Sequence, residues 1–171
     1  TYNSNALEGC TLTLQETALI FKDGIAIAGH PLKEQLEVIG HKDAFYYIVE
    51  MTQSQYNKTL LDTFEINMLH FLTDDRFKTG LFRRNALTAV GSTRATSKLY
   101  DIERQMMKLL SDYGKADIDF FARMAQFHLG FETFYQFGNG NGRTGWLVLN
   151  LELLKGGYRP VDIKCTDKRS F

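Results

Sequence analysis

The sequence has few of the residues that interrupt helices, cross-link chains or attract nucleic acid. Only two prolines occur among its 171 residues, so few positions are expected to break a helix. Two cysteines, Cys10 and Cys165, stand near opposite ends of the chain, which excludes a disulfide framework and favours a reducing, cytoplasmic location. The formal net charge is zero, which disfavours binding to the phosphates of nucleic acid.

Long apolar runs are also missing. No stretch reaches the roughly 20 residues that span a membrane, and no signal peptide opens the chain, so we expect no membrane partner. Hydrophobic residues make up 44% and charged residues 23% of the chain, as in ordinary globular proteins. Because no repeat or linker interrupts the sequence, residues 1–171 are predicted to form a single domain with its own core.

Most of the chain carries the periodicity of amphipathic helices, which predicts a mostly α fold. Thr13 and Glu16 match a capping box at one predicted helix start, and Pro31 suits the first helical position of the next. Further helical patterns cover residues 56–72, 101–114 and 117–134, and the last helix is expected to stop at Gly156-Gly157. Residues 81–97 are rich in threonine, serine and alanine and predict a loop or a short hairpin.

The stretch FYQFGNGNGRTGW, residues 134–146, contains the pattern G-x-G-x-x-G. A helical pattern precedes it, which excludes the strand-first dinucleotide fold, and its ending lacks the Lys-Ser/Thr of a P-loop. Glycines allow successive N–H groups to turn toward one point, a helix start adds a positive dipole end, and Arg143 adds a charge. The pattern predicts an anion site at residues 138–143, and the alternative is a glycine-rich turn with a surface arginine.

This stretch resembles the signature loop of Fic-domain proteins, H-P-F-x-[D/E]-G-N-G-R-x-x-R. The G-N-G-R of residues 140–143 and the phenylalanine at Phe137 match directly. Upstream, His128 and Phe131 match the H-x-x-F found in many members on the preceding helix. The segments HPLKEQLEVIGHKDAF and GGYRPVDIK resemble the parts of family members that flank the core, so the resemblance covers essentially the whole chain.

The resemblance implies a helical bundle with a small β-hairpin flap at about residues 81–97. It also implies transfer of AMP from ATP, with Mg²⁺, to a Ser, Thr or Tyr hydroxyl of a target protein, which docks on the flap by strand addition. Arg143 takes a catalytic role in this comparison. The implied nucleotide-binding residues are Gly138, Gly140, Asn141, Gly142, Arg143 and Trp146.

Several positions depart from the signature. Tyr135 stands where the family has its catalytic histidine, and a phenol with a pKa of about 10 is a poor base at neutral pH. Asn139 replaces the acid that binds Mg²⁺, which weakens the predicted metal site, and Trp146 replaces the last arginine. Gln136 replaces the proline. These changes predict weak or absent transfer.

Two further hypotheses remain open. The chain could be a non-catalytic module that binds a nucleotide or a protein, or it could perform another transfer, such as one using UTP or a phosphoryl group. His128 lies two helical turns before Tyr135 and is predicted to pack rather than to act as a base. The remaining histidines, His30, His41 and His70, have no metal-ligand spacing.

The N-terminal segment SNALEG, within residues 1–12, resembles the inhibitory motif S/T-x-x-x-E-G/N of many Fic proteins. Ser4 and Glu8 are spaced to share one face of a helix, and Gly9 follows. The resemblance implies that Glu8 pairs with the last signature arginine, but that position is Trp146 here. We therefore expect Glu8 to turn to Arg143 or the segment to serve packing alone.

Overall fold

The computed structural model describes residues 1–53, 63, 65–67, 80–87, 96–115 and 117–170. Within these residues the chain is mostly helical, as predicted, and its β structure is limited to one antiparallel bridge between Phe82 and Phe137. No helix among them is long and apolar enough to cross a membrane. The helices are α1 (Tyr2–Leu7), α2 (Leu14–Asp23), α3 (Leu32–Met51), α4 (Ile102–Lys115), α5 (Phe120–Phe134) and α6 (Asn141–Lys155), with 3₁₀ turns at Leu99–Asp101 and Cys165–Ser170.

Two sequence predictions fall partly outside the described residues. The helix predicted over residues 56–72 is described at residues 63 and 65–67, which are helical. Residues 88–95 of the predicted flap are outside the described residues, so the hairpin stays a prediction. The described ends of that segment lie side by side, because the Thr96 hydroxyl donates to the carbonyl oxygen of Leu87 at 2.5 Å.

The helix ends follow the sequence closely. The capping box before α2 is confirmed, because the Thr13 hydroxyl accepts from the Glu16 amide and the Glu16 carboxylate accepts from the Thr13 amide. Pro31 lies one residue before the first helical residue of α3, so its predicted place inside the helix is wrong by one position. As predicted, α6 ends at Lys155 with Gly156 next.

We expect Thr13→Ala to lower the free energy of unfolding by about 1 kcal/mol, because the first turn of α2 loses its side-chain acceptor. Urea unfolding of the two proteins measures the difference. Thr133→Ala is the matched control, since Thr133 is exposed near the end of α5 and caps no helix start. Equal losses in both variants would contradict a capping role for Thr13.

Two apolar clusters hold these helices together. α5 packs between α4 and α6, while α3 packs on α6 and α2 packs on α3. The smaller cluster joins Leu12 and Ile20 to Val38 of α3. The larger cluster lies where α3, α4, α5 and α6 meet, and its members are Ala44, Ile48, Ile66, Ile102, Met106, Phe127, Phe131, Phe137, Leu147, Val148 and Leu151. Burial on this scale fixes α6 and the loop before it on a rigid base.

The short helix α1 is held beside α3 and the C-terminal 3₁₀ turn. The Asn3 amide donates to the Asp162 carboxylate at 2.6 Å, and the Cys165 backbone N–H donates to the Asn3 side-chain oxygen at 3.2 Å. The N-terminal and C-terminal segments therefore lie together. This arrangement carries residues 5–9 to the N-terminal end of α6.

Candidate functional site

The loop between α5 and α6, residues 135–140, is closed by one asparagine. The Asn141 side-chain oxygen accepts from the Phe137 N–H at 2.8 Å, and its amide donates to the Phe137 carbonyl at 2.9 Å. Phe137 is 1% exposed and joins the main core, so the middle of the loop is anchored from below. Gly140 adopts φ 69°, a left-handed conformation that favours glycine directly before the helix. The Asn141 side chain thus fixes the conformation of the loop.

Asn67 is a second support that the sequence analysis missed. It is 1% exposed, and its amide donates to the Asn139 carbonyl at 3.2 Å and to the Thr144 hydroxyl at 3.0 Å. Its side-chain oxygen accepts from the Gly80 N–H at 3.0 Å. One buried asparagine therefore links the loop, the first turn of α6 and residue 80. The available signal was an asparagine three residues after Phe64, on the apolar face of the helix predicted over residues 56–72.

Arg143, the predicted phosphate ligand, lies in a buried ion pair. It is 3% exposed, and its Nη1 donates to the Glu37 carboxylate at 2.9 Å and to the Asn5 side-chain oxygen at 3.0 Å. Glu37 comes from α3 and Asn5 comes from α1, and neither was singled out from the sequence. The guanidinium charge next to the loop is therefore balanced by a carboxylate within the protein.

Two carboxylates face the start of α6. A Cβ built on Gly142 would lie 3.0 Å from the Glu8 carboxylate and 4.0 Å from that of Glu132. A Cβ on Gly145 would lie 2.1 Å from the other Glu132 oxygen, so a larger residue there would displace the Glu132 side chain. Glu8 thus lies at the helix start, beside the Arg143 pair, and shows no ion pair with Arg143 in the described residues. The favourable dipole end of α6 already faces negative charge.

Burial and the nearby Glu8 carboxylate raise the pKa of Glu132 to about 7. Its Oε1 atom is buried and has no hydrogen-bond partner among the described residues. Glu132 lies on α5, one turn before Tyr135, and the one charged group that shifts its pKa is Glu8, directly after α1. Burial therefore makes the larger contribution to the proton affinity of this carboxyl group, and the residue that follows α1 adds to it.

Tyr135 is the one non-glycine residue with positive φ in the described part of the chain, at φ 51° and ψ 52°. Burial raises the pKa of its phenol, and the carboxylates of Glu8 and Glu132 raise it further. The shift is away from neutrality, so the phenol keeps its proton at pH 7. A group in this state does not act as a general base.

Asn139 is exposed, and its side-chain oxygen accepts from the Gly140 N–H at 2.8 Å. It borders a cavity of about 300 Å³ that is also lined by Glu8, Glu37 and Arg143. The described residues contain no group of three His, Cys, Asp or Glu side chains that could hold a metal ion. Because the Asn139 oxygen is neutral and no carboxylate replaces it at this position, these residues do not fit a strong Mg²⁺ site.

Trp146 does not line the cavity bordered by Asn139 and Arg143. Its ring centre is 4.7 Å from that of His128, consistent with the predicted packing role of that histidine. Together with Ser4, Asn150 and Asp162 it lines a cavity of about 210 Å³ between α1, α6 and the C-terminal segment. Of the predicted site residues, the structure brings Glu8, Gly9, Asn139 and Arg143 together around one cavity and places Ser4 and Trp146 around another. Gly138 is exposed within the loop.

The raised pKa of Glu132 predicts a pH-dependent stability. Because the folded protein binds this proton more tightly than the unfolded chain, the stabilisation is present below pH 4.5 and is lost as the pH rises through about 7. Glu132→Gln cannot ionise, so we expect the variant to be more stable than the unmodified chain at pH 8, by about 1–3 kcal/mol. Thermal unfolding at pH 5 and pH 8 measures the difference.

The comparison is made at each pH, because His41 works in the opposite direction. Burial lowers the pKa of His41 to about 3, so its contribution to stability grows as the pH rises from 3 to 6.5. Glu103→Gln, on the exposed face of α4, is the matched control and should leave the pH profile unchanged. A Glu132→Gln profile parallel to that of the unmodified chain would contradict the shift.

Comparison with known proteins places this architecture in context. The sequence model of the Fic/DOC family matches residues 59–153. Protein adenylyltransferase fic-1 of Caenorhabditis elegans is 29% identical over 164 residues, which cover 94% of this chain and 32% of that protein. Protein adenylyltransferase Fic of Nematostella vectensis is 28% identical over 176 residues, covering 99% and 40%. The chain therefore spans less than half the length of these curated relatives.

Solved structures show the same fold. A Fic domain containing signaling protein from Bacteroides thetaiotaomicron superposes with a TM-score of 0.90 at 27% identity, covering 99% of this chain and 66% of that one. Residues 134–508 of Fic-1 from C. elegans superpose with a TM-score of 0.87 at 26% identity, covering 98% and 51%. Similarity of this extent reaches over nearly every element described above.

Proposed function

Because this chain belongs to the Fic/DOC family, we propose that it binds ATP or a related nucleotide at residues 138–143 and belongs to the protein adenylyltransferase class. The proposed reaction is transfer of AMP from ATP to a Ser, Thr or Tyr hydroxyl of a protein, with low or no activity in this chain. The observation that carries the second part is Tyr135, a protonated phenol at the position of the family histidine.

Nucleotide binding is supported by the construction of the loop. The backbone of residues 137–140 is held by the side chains of Asn141 and Asn67, and α6 begins directly after it. Backbone N–H groups at such a helix start suit phosphate oxygens. Gly138 has open space at its Cα, and a loop that is already fixed loses less conformational freedom on binding.

Low activity is supported by three replaced groups. The Tyr135 phenol keeps its proton at neutral pH and cannot accept one from an attacking hydroxyl. Loss of a general base costs about 10²–10⁴ in rate. Asn139 offers Mg²⁺ a neutral oxygen that already has a partner. Trp146 faces α1 and the C-terminal segment.

The N-terminal segment, residues 1–12, is proposed to inhibit the site. Support comes from Glu8, whose carboxylate lies at Gly142, and from Asn5, which binds Arg143. An acid at the helix start competes with a phosphate for the same dipole end and N–H groups. The proposed inhibition by residues 1–12 thus acts directly on the loop and does not need the last signature arginine.

A second candidate function is a non-catalytic module that binds a nucleotide or a protein. The observation that favours it is the Arg143–Glu37 pair, which balances the charge that a phosphate would use. The protein partner is proposed to dock along residues 81–97, whose described ends lie side by side. Binding of ATP without any labelled protein would favour this candidate.

The deciding experiment is titration calorimetry with ATP, with and without Mg²⁺. We expect Glu8→Gln to bind ATP about fivefold more tightly than the unmodified chain, because one like charge near the phosphates contributes about 1 kcal/mol. Glu50→Gln, on the exposed part of α3, is the matched control and should leave affinity unchanged. Absence of heat in all three proteins up to millimolar ATP would reject the nucleotide site and move the function to protein contact.

A further inference from the structure

Arg83 is a buried cation whose partners join two parts of the fold. The residue is 7% exposed, and in the described part of the chain no carboxylate forms an ion pair with it. Its guanidinium donates instead to backbone carbonyls, which is an unusual way to satisfy a buried charge. Such a group has a narrow choice of positions, because each of its donors needs an oxygen in the right place.

The partners of Arg83 come from two parts of the chain, residues 85–97 and the loop that begins at Tyr135. Nε donates to the Tyr135 carbonyl at 2.7 Å, and Nη1 donates to the Asn85 carbonyl at 2.8 Å. Nη2 donates to the Ser97 carbonyl and, at 3.3 Å, to the Thr96 hydroxyl. The fork therefore ties both ends of the 85–97 segment to the residue that opens the signature loop.

Backbone contacts of Phe82 and Arg83 also join this segment to the loop at residues 135–140. The Arg83 N–H donates to the Gln136 carbonyl at 2.8 Å, and Phe82 forms the β-bridge with Phe137. Tyr135 meanwhile holds a left-handed conformation, which is strained for a non-glycine residue and persists where its surroundings fix it. The bond from Arg83 to the Tyr135 carbonyl is one such constraint.

We infer that Arg83 is the positioning residue of the signature loop: through the Tyr135 carbonyl it sets the direction of the side chain at that position and couples it to the segment at 81–97. Arg83 does not touch a substrate in this role. A ligand that shifts the carbonyls of Asn85 or Ser97 moves the same cation that holds Tyr135. Arg83 has this role in the folded chain whether or not the loop binds a nucleotide.

Hydrogen exchange of the nucleotide-free protein, followed by mass spectrometry, tests the inference. We expect Arg83→Gln to speed exchange at residues 136–138 about tenfold, because the loop loses a charged donor, while residues 147–154 of α6 exchange as before. Arg84→Gln is the matched control, since Arg84 is adjacent, exposed and of equal charge. It should change neither region.

A second variant guards against loss of folding. Arg83→Lys keeps the charge, but its donors all leave one nitrogen and cannot span the carbonyls of Tyr135, Asn85 and Ser97, so an intermediate increase at 136–138 is expected. Added methylguanidinium should reverse part of the effect in a folded Arg83→Ala protein. Unchanged exchange at 136–138 in Arg83→Gln and Arg83→Lys, or an equal rise along α6, would overturn the inference, because a uniform rise reports global destabilisation.

Discussion

Replacing Arg143 with alanine is expected to lower the free energy of unfolding by about 3–5 kcal/mol. The change removes the partner of Glu37, which is 8% exposed, and leaves a carboxylate in a buried position without a cation. It also removes the bond to Asn5 of α1. Thermal unfolding measures the loss, and a domain of this size should melt roughly 10 °C lower.

Arg104→Ala is the matched control for this prediction. Arg104 also pairs with a carboxylate, Asp101 at 2.7 Å, but its side chain is 71% exposed, so less than about 1 kcal/mol is expected. The double variant Glu37→Gln with Arg143→Met removes both buried charges and should recover much of the stability. Similar losses for Arg143→Ala and Arg104→Ala would show that the buried pair contributes little.

This instability affects how nucleotide binding is tested. Loss of ATP binding in Arg143→Ala would not separate a missing phosphate contact from a displaced loop. Arg143→Lys keeps a cation near Glu37 and is the better probe of the phosphate contact, since it retains charge but loses the planar fork. Variants at Glu8 avoid the problem, because Glu8 has no ion pair in the described residues.

Tyr135→His is expected to raise AMP transfer by about 10²–10⁴, the usual contribution of a positioned general base. An imidazole with a pKa near 6.5 is largely neutral at pH 7 and accepts the proton of an attacking hydroxyl. Histidine also tolerates the left-handed conformation of this position, so the loop should keep its shape. The measurement is the rate at which AMP from labelled ATP appears on protein, including the chain itself.

The matched control is Tyr135→Asn, which suits the same backbone conformation but supplies no base. The Glu8→Gln background should increase the rate further, if Glu8 obstructs the loop. Adding Asn139→Asp to Tyr135→His tests the metal position separately. If ATP binds and no combination labels protein above the Tyr135→Asn level, the adenylyltransferase proposal fails and the binding module is retained.

Local patterns in the sequence predicted two helix ends correctly. The capping box at Thr13 and the stop at Gly156 each depend on neighbours a few residues away. Such features can be predicted from the sequence, because the residues that form a cap or a turn lie within one short segment. The resemblance added the family and the position of the loop.

Contacts between distant residues were not predictable in the same way. Glu37 and Arg143 are 106 positions apart, and Asn5 and Arg143 are 138 apart. On α3, Leu32 is 67% exposed while Glu37 is buried, so hydrophobicity alone does not show which of these two side chains faces the protein. Charged residues in a helix usually face water, and only the partner across the fold shows why Glu37 does not.

The packing of Trp146 gives the protein a built-in optical probe. It is the one tryptophan in the chain, and it lines a cavity with Ser4 and Leu7 of α1 while its ring lies against His128. Any release of α1 admits water to one side of the indole and shifts its emission to longer wavelength. The fluorescence of the unlabelled protein therefore follows the state of the N-terminal segment in real time, during addition of nucleotide or a change of pH.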